Sequence, residues 1–220
     1  MYGYLLSLDG SFRACLENAI GGAWRAFWSN LGYRKSKALP IKLKLRQLER
    51  NVAPILLFRA SRWPFCLTHA KRVDRVQRRM IKIIMALRKR ESESVPQFCL
   101  RAATSAARTS RECGLWSVRW SRSVVSWSLH VARNHNLAVW AAPLLDIRSS
   151  AELSQRRRDN GGRPGTRRDP GFIIKRWVDS VPDALNYLRD RNQFPHDLFE
   201  RGVVLQDGSP CTADALIARH

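Results

Sequence analysis

The stretch "KRVDRVQRRMIKIIMALRKR", Lys71 to Arg90, carries nine basic residues in twenty and about as many aliphatic ones. When successive residues are placed about 100° apart, as in an α-helix, the aliphatic side chains share one arc. They are Val73, Val76, Met80, Ile83, Ile84 and Leu87. The opposite arc is basic and comprises Lys71, Arg72, Arg75, Arg78, Arg79, Lys82 and Lys89. A disordered basic tag has no reason to keep two such faces in register. The stretch therefore predicts a helix from about Thr68 to Lys89, with one buried face and one exposed face.

The charge of the whole chain favours a polyanionic partner. Its 220 residues include 39 Lys and Arg against 18 Asp and Glu, which gives a net charge of +21. Such an excess of like charges destabilises a compact chain unless a polyanion offsets it. Arginine predominates among the basic residues, and its planar guanidinium group suits phosphate better than a lysine ammonium does. The composition thus predicts nucleic acid as the partner. The alternative is that the codons of the reading frame happen to be rich in arginine.

The periodicity of the rest of the chain predicts a mainly α fold. A short strand is predicted from Tyr4 to Leu8, ending in an Asp-Gly turn. A lone terminal strand is marginal by itself, so a sheet is expected upstream of Met1. Helical spacing then runs from Phe12 to Leu31. Pro40 is placed where a helix begins and Pro54 where one is kinked or split.

The C-terminal half is rich in tryptophan and ends in a basic loop. "GLWSVRWSRSVVSWSLHVAR", Gly114 to Arg133, places Trp116, Trp120, Val124, Trp127 and Val131 on one helical stripe, with arginines beside it. Tryptophans at this spacing are more often core residues than platforms for nucleic-acid bases. We therefore expect packing roles for Trp63, Trp116, Trp120, Trp127 and Trp177. Arg156 to Gly171 is a basic loop rich in Gly and Pro. "IIKRWVDSVPDALNYLRD" returns to helical spacing, which Pro182 is expected to interrupt.

Few residues in the sequence point to catalysis. Five scattered cysteines without a CxxC pair indicate reduced thiols in an intracellular protein of the nucleus or cytoplasm. Neither a signal peptide nor a membrane-spanning apolar run is recognisable, so we expect no membrane partner. Polymerases hold two metal ions about 4 Å apart with paired carboxylates, and the sequence contains no Asp-Asp pair. Asp9, Asp74 and Asp179 are interpreted as caps or ion-pair partners. We expect no catalytic residue, metal, cofactor or small-molecule substrate on this chain.

The order of these features resembles the region that follows the catalytic palm in reverse transcriptases of non-LTR (LINE-type) retrotransposons. "YGYLLSLDG" with "ENAIGGAWRAFWSNL" is similar to the family's strand, Asp-Gly turn and aromatic helix. "IKLKLRQLERNVAPILLFRASRW" is similar to its next element, although Phe58-Arg59 replaces the usual Tyr-Gly. Its basic Leu-Asp-x-x-Gln-Arg-Arg helix is matched by Val73, Asp74, Gln77, Arg78 and Arg79. Its Gly-Arg-Pro…Arg-Trp-x-Asp element looks like Gly162-Arg163-Pro164…Arg176-Trp177-Val178-Asp179, with an insertion between the two parts.

The resemblance implies a domain organisation and a role. Residues 1–10 would end the palm, 11–92 would form a thumb-like helical domain, 93–194 a Trp/Arg-rich extension, and 195–220 a tail. The family is an RNA-directed DNA polymerase that uses Mg²⁺ in the palm, whose catalytic aspartates this sequence lacks. The chain is thus expected to bind the template–primer duplex without being active alone. The implied nucleic-acid-binding residues are Arg75, Arg78, Arg79 and Lys82 on the basic helix. In the basic loop, Arg163, Arg167 and Arg168 are also expected to bind nucleic acid.

Other interpretations remain open. Gly162-Arg163-Pro164 also resembles the minor-groove-binding core of AT-hook peptides, because a narrow groove attracts arginine. The chain as a whole is also compatible with a stand-alone basic helical RNA- or DNA-binding protein. A third interpretation is an interaction protein whose basic helix meets an acidic partner or a membrane surface. A fourth is a decayed transposon reading frame without a function.

Overall fold

The structure is a computed structural model of the chain, and it describes residues 13–29, 39–58, 60–133, 180–199 and 212–213. Of these residues 79% are helical and none lies in a strand, which confirms the mainly α fold class. The predicted strand from Tyr4 to Leu8 lies outside the described residues. So does the basic loop from Arg156 to Gly171.

Eight α-helices lie within the described residues. The α-helices are α1 Arg13–Ser29, α2 Ile41–Gln47, α3 Ala53–Leu56, α4 Leu67–Met85, α5 Val95–Glu112, α6 Trp116–Arg133, α7 Ser180–Arg189 and α8 His196–Phe199. A π-helical segment, Leu48–Val52, joins α2 to α3, and a 3₁₀ turn covers Ala60–Arg62.

The chain divides into two compact units. We call Leu16–Phe58 with His69–Arg119 the basic unit, because it contains nearly all of α4. We call Met1–Cys15, Arg59–Thr68 and Trp120–His220 the aromatic unit. These units do not test the domain limits expected at residues 10, 92 and 194, which stay predictions.

Helix α4 has the two faces that its sequence predicts. Val73, Val76, Met80 and Ile84 are buried, whereas Ile83, at the edge of the apolar arc, is 36% exposed. The predicted end at Lys89 is wrong, because the helix stops at Met85. Ala86 has φ 45°, a left-handed conformation that terminates an α-helix. Leu87 and Lys89 therefore follow the helix rather than extend its faces.

Two of the prolines between α1 and α4, Pro40 and Pro54, act as expected. Pro40 is the N-cap of α2, where its missing N–H leaves no intrahelical hydrogen bond unmade. Pro54 lies in the first turn of α3, directly after the π-helical segment that interrupts the regular helix.

Gly22 of α1 marks a close approach, since a Cβ atom there would lie 3.4 Å from Cγ2 of Ile55.

Helix α5 begins at a capping box. The Ser94 hydroxyl accepts a hydrogen bond from the Gln97 backbone N–H (3.4 Å), and the Gln97 side chain accepts one from the Ser94 N–H (2.9 Å). This helix was not predicted from the sequence, and its buried positions are the small residues Ala102, Ala106 and Ser110. Small residues give a weak hydrophobic periodicity even where they pack closely.

The aromatic unit is built around tryptophan, as expected. Trp63 and Trp120 are buried, with ring centroids 6.3 Å apart in an edge-to-face arrangement. Phe65 lies between the rings of Trp120 (5.1 Å) and Tyr187 of α7 (5.0 Å). Pro182 lies in the first turn of α7, where a helix tolerates proline, and so does not interrupt that helix.

Candidate nucleic-acid interface

One side of α4 is a continuous positive surface, which we call the basic face. It comprises six exposed side chains: Lys71, Arg72, Arg75, Arg78, Arg79 and Lys82. At about 100° per residue they lie within an arc of roughly 120°, and they extend over about 16 Å of helix. Asp74 is the one acidic residue of α4, and it is buried, outside this arc. The helix thus presents its positive charges without a carboxylate of its own among them.

The four predicted phosphate ligands on this helix, Arg75, Arg78, Arg79 and Lys82, differ in their contacts. Arg78 donates from Nε to the backbone carbonyl of Asp74 (3.2 Å). The guanidinium group of Arg79 lies over the Trp24 ring, 5.6 Å from its centroid. Within the part of the chain that the structure describes, neither Arg75 nor Lys82 has an ion pair or a hydrogen bond from its side chain. The side-chain donors of Arg75 and Lys82 are therefore exposed to solvent.

The buried side of α4 holds the first turn of α6. The first backbone N–H groups of a helix have no partner within it. Here Asp74 accepts hydrogen bonds from the Ser117 N–H (3.1 Å) and the Ser117 hydroxyl (2.8 Å). Gln77 accepts from the Trp116 N–H (3.2 Å) and donates to the Gly114 carbonyl (3.0 Å). The Asp74 carboxylate also lies at the positive end of the α6 dipole, which is favourable.

Glu49, in the π-helical segment, extends this polar contact. Its carboxylate accepts from the Trp116 indole N–H (3.0 and 3.1 Å) and from the Gln77 amide (3.3 Å). It also pairs with Nη1 of Arg119 at 2.8 Å. Burial raises the pKa of Glu49 above its ordinary value, and the charge of Arg119 opposes that rise only in part. Together these bonds fix the rotation of α4 about its axis, and with it the direction of the basic face.

The segment after α4 is held by an arginine of α5. Arg101 donates from Nε and Nη2 to the two carboxylate oxygens of Glu93, each at 2.8 Å. Nη2 of Arg101 also donates to the carbonyl of Arg88 (2.9 Å). These hydrogen bonds from Arg101 lower the pKa of Glu93 to about 2. The connection that carries Arg88, Lys89 and Arg90 is therefore tied to the body of the basic unit.

The remaining predictions have different outcomes. Trp63, Trp116 and Trp120 are buried, which confirms their assignment to packing. Trp127 is only half-buried, with the Arg62 guanidinium group over its ring, and Trp177 lies outside the described residues. Arg163, Arg167 and Arg168 also lie outside them, so their role stays a prediction. Among the described residues, no three His, Cys, Asp or Glu side chains are close enough to hold a metal ion. No helix in the described ranges combines the length and apolarity that a membrane span requires.

Two tryptophans of α1 were not predicted as functional residues. Trp24 and Trp28 are four residues apart and stack on each other, with centroids 5.9 Å apart and ring planes 21° apart. Trp28 is 47% exposed. Their spacing was a visible signal, since residues i and i+4 are neighbours on a helix. Glu49 and Arg119 were overlooked as well, and no local pattern connects them.

Comparison of the chain with models of protein families, with curated protein sequences and with solved structures gives no match.

Proposed function

We propose that this chain binds nucleic acid through the basic face of α4, as the thumb-like part of a non-LTR retrotransposon reverse transcriptase, an RNA-directed DNA polymerase. The observation that carries the proposal is the basic face itself, a row of exposed cations opposite a buried apolar side. Lys and Arg contacts to phosphates are independent of sequence and position a duplex. The proposed ligand is the RNA/DNA template–primer duplex. The proposed partner is the polymerase palm, which in that family carries the catalytic aspartates and Mg²⁺.

The electrostatics of the basic unit support this ligand. The chain has a net charge of +21, and the basic face concentrates six of its cations on one helix. Near that face, the Glu17 carboxylate pairs with Arg72 at 3.2 Å, and both side chains are more than 40% exposed. An exposed pair of this kind is worth little to stability, so Arg72 can exchange Glu17 for a phosphate at small cost.

Two variants with equal loss of charge test the proposal. The basic-face variant replaces Arg75, Arg78, Arg79 and Lys82 by Gln. The control variant replaces four exposed cations of other helical segments by Gln: Lys42, Arg50, Arg108 and Arg111. Binding to a labelled RNA–DNA hybrid is measured by fluorescence anisotropy. Four lost phosphate contacts predict a fall in affinity of up to about a thousandfold at physiological salt. The control variant should lose much less.

The choice of nucleic acid separates this function from its alternatives. Tighter binding to the hybrid than to a single strand of equal length supports a template–primer ligand. Equal affinity for hybrid, single strand and heparin would instead indicate a stand-alone, general polyanion binder. Binding to anionic vesicles that the basic-face variant loses, without hybrid binding, would indicate a membrane-surface helix.

A further inference from the structure

We infer that Trp28 and Trp24 form a stacking platform beside the basic face, on which the chain holds an unpaired base of the bound nucleic acid. The inference rests on the proposed function, because the phosphates of the same strand would lie on the basic face. The site belongs entirely to the basic unit, on α1 and α4. Its ligand is a nucleobase in a single-stranded segment next to the duplex.

The contacts between α1 and α4 place the platform. Arg72 pairs with Glu17, and Arg79 lies over Trp24. Trp24 follows Glu17 by seven residues on α1, and Arg79 follows Arg72 by seven residues on α4. The two helices therefore run side by side in the same direction. One turn further along lie Trp28 on α1, and Lys82 and Ile83 on α4. The exposed indole is therefore at the end of the basic face, close to one of its lysines.

The exposure of these side chains indicates a ligand rather than a core. Phe27, the neighbour of Trp28 in sequence, is fully buried, whereas Trp28 is 47% exposed and Ile83 36% exposed. Trp24 already shows the stacking geometry, with Trp28 at 5.9 Å and the Arg79 guanidinium at 5.6 Å from its centroid. A base stacked on Trp28 would extend this series of planar groups. Aromatic rings beside cations are the usual means of holding single-stranded nucleic acid.

The charge around the platform favours a nucleotide over an apolar partner. Arg75, Arg79 and Lys82 are exposed on the adjoining helix, and an apolar partner would have to cover these charges without neutralising them. A nucleotide supplies both parts, since its base covers the indole and its phosphate meets the cations. Every base has a π-face, so the site is expected to accept all four bases.

Two hybrids with the same number of phosphates test the inference. One RNA–DNA hybrid carries a short overhang of thymidines, and the other carries the same overhang built from abasic sugar-phosphates. The full chain should bind the thymidine form about tenfold tighter. Trp28→Leu should bind both forms with the affinity that the unaltered chain has for the abasic one. Trp28→Phe should retain most of the preference, and Leu100→Ala, at another exposed apolar residue, should retain all of it.

The outcomes separate this inference from the proposed function. Salt-dependent binding of the unaltered chain with equal affinity for the two hybrids overturns the platform and leaves the basic face in place. A tenfold preference that survives Trp28→Leu also overturns the assignment to Trp28. Failure to bind either hybrid overturns the proposed function, and the platform with it.

Discussion

Replacing Asp74 by Ala removes one of the two side chains by which α4 holds the start of α6. The carboxylate accepts from the Ser117 N–H (3.1 Å) and the Ser117 hydroxyl (2.8 Å), and the residue is 7% exposed. A buried donor left without its charged acceptor costs about 1–3 kcal/mol, and loss of a helix N-cap typically costs about 1 kcal/mol. Part of this loss is offset, because the variant no longer has the cost of removing a charged carboxylate from water. We therefore expect Asp74→Ala to lower the free energy of unfolding by about 2 kcal/mol.

Two further variants divide that loss into its parts. Asp74→Asn keeps an acceptor oxygen for the Ser117 N–H but loses the charge at the helix dipole, so we expect a loss of about 1 kcal/mol. Ser117→Ala removes the hydroxyl hydrogen bond alone, again with a loss of about 1 kcal/mol. The free energies come from urea unfolding followed by far-UV circular dichroism. A loss below about 0.5 kcal/mol for Asp74→Ala would refute the capping role of this residue.

Three other outcomes are expected. Ala86→Gly should raise the free energy of unfolding by about 1 kcal/mol, because Ala86 has φ 45°, which glycine adopts without strain. Ala103→Gly, at an exposed position within α5, should lower the free energy of unfolding by a similar amount, because glycine is a poor helix former. Burial raises the pKa of Glu49 in the folded state above 4.5, the ordinary pKa of a glutamate. As the pH falls from 7 towards 4.5, the folded state therefore takes up a proton before the unfolded state does, and the unaltered chain should gain stability relative to Glu49→Gln. An opposite trend in the urea unfolding data would contradict the burial of that carboxylate. Arg163→Ala should reduce any preference of the full chain for A/T-rich over G/C-rich duplex, and equal binding of the two duplexes by the unaltered chain would remove the minor-groove interpretation.

The sequence predicted those features that depend on local periodicity. The two faces of α4 follow from the positions of Val73 and Arg75 on the helix, and the tryptophan core of the aromatic unit follows from the stripe that contains Trp120. Pro40 marked a helix start by its chemistry alone. In each case one segment of fewer than about twenty residues contains the whole signal.

The features that were missed depend on weak signals or on remote contacts. Helix α5 buries Ala102 and Ala106 while Ala103 is exposed, so hydropathy does not separate its buried positions from its exposed ones. Only its start is marked locally, by the capping box at Ser94 and Gln97 and by Pro96 in the first turn. The early end of α4 depends on a left-handed alanine, which no sequence rule favours. The bonds of Glu49 to Trp116 join segments 67 residues apart, so only the tertiary structure brings them together.

The salt dependence of hybrid binding tests the central claim most directly. The equilibrium constant is measured over a series of salt concentrations for the unaltered chain, the basic-face variant and the control variant. If the basic face contacts phosphates, the slope of log affinity against log salt concentration should be shallower by about 3.6 for the basic-face variant, roughly 0.9 for each of four contacts. The control variant should keep nearly the slope of the unaltered chain. An unchanged slope in the basic-face variant, or an equal change in the control, would contradict the assignment of nucleic-acid binding to α4.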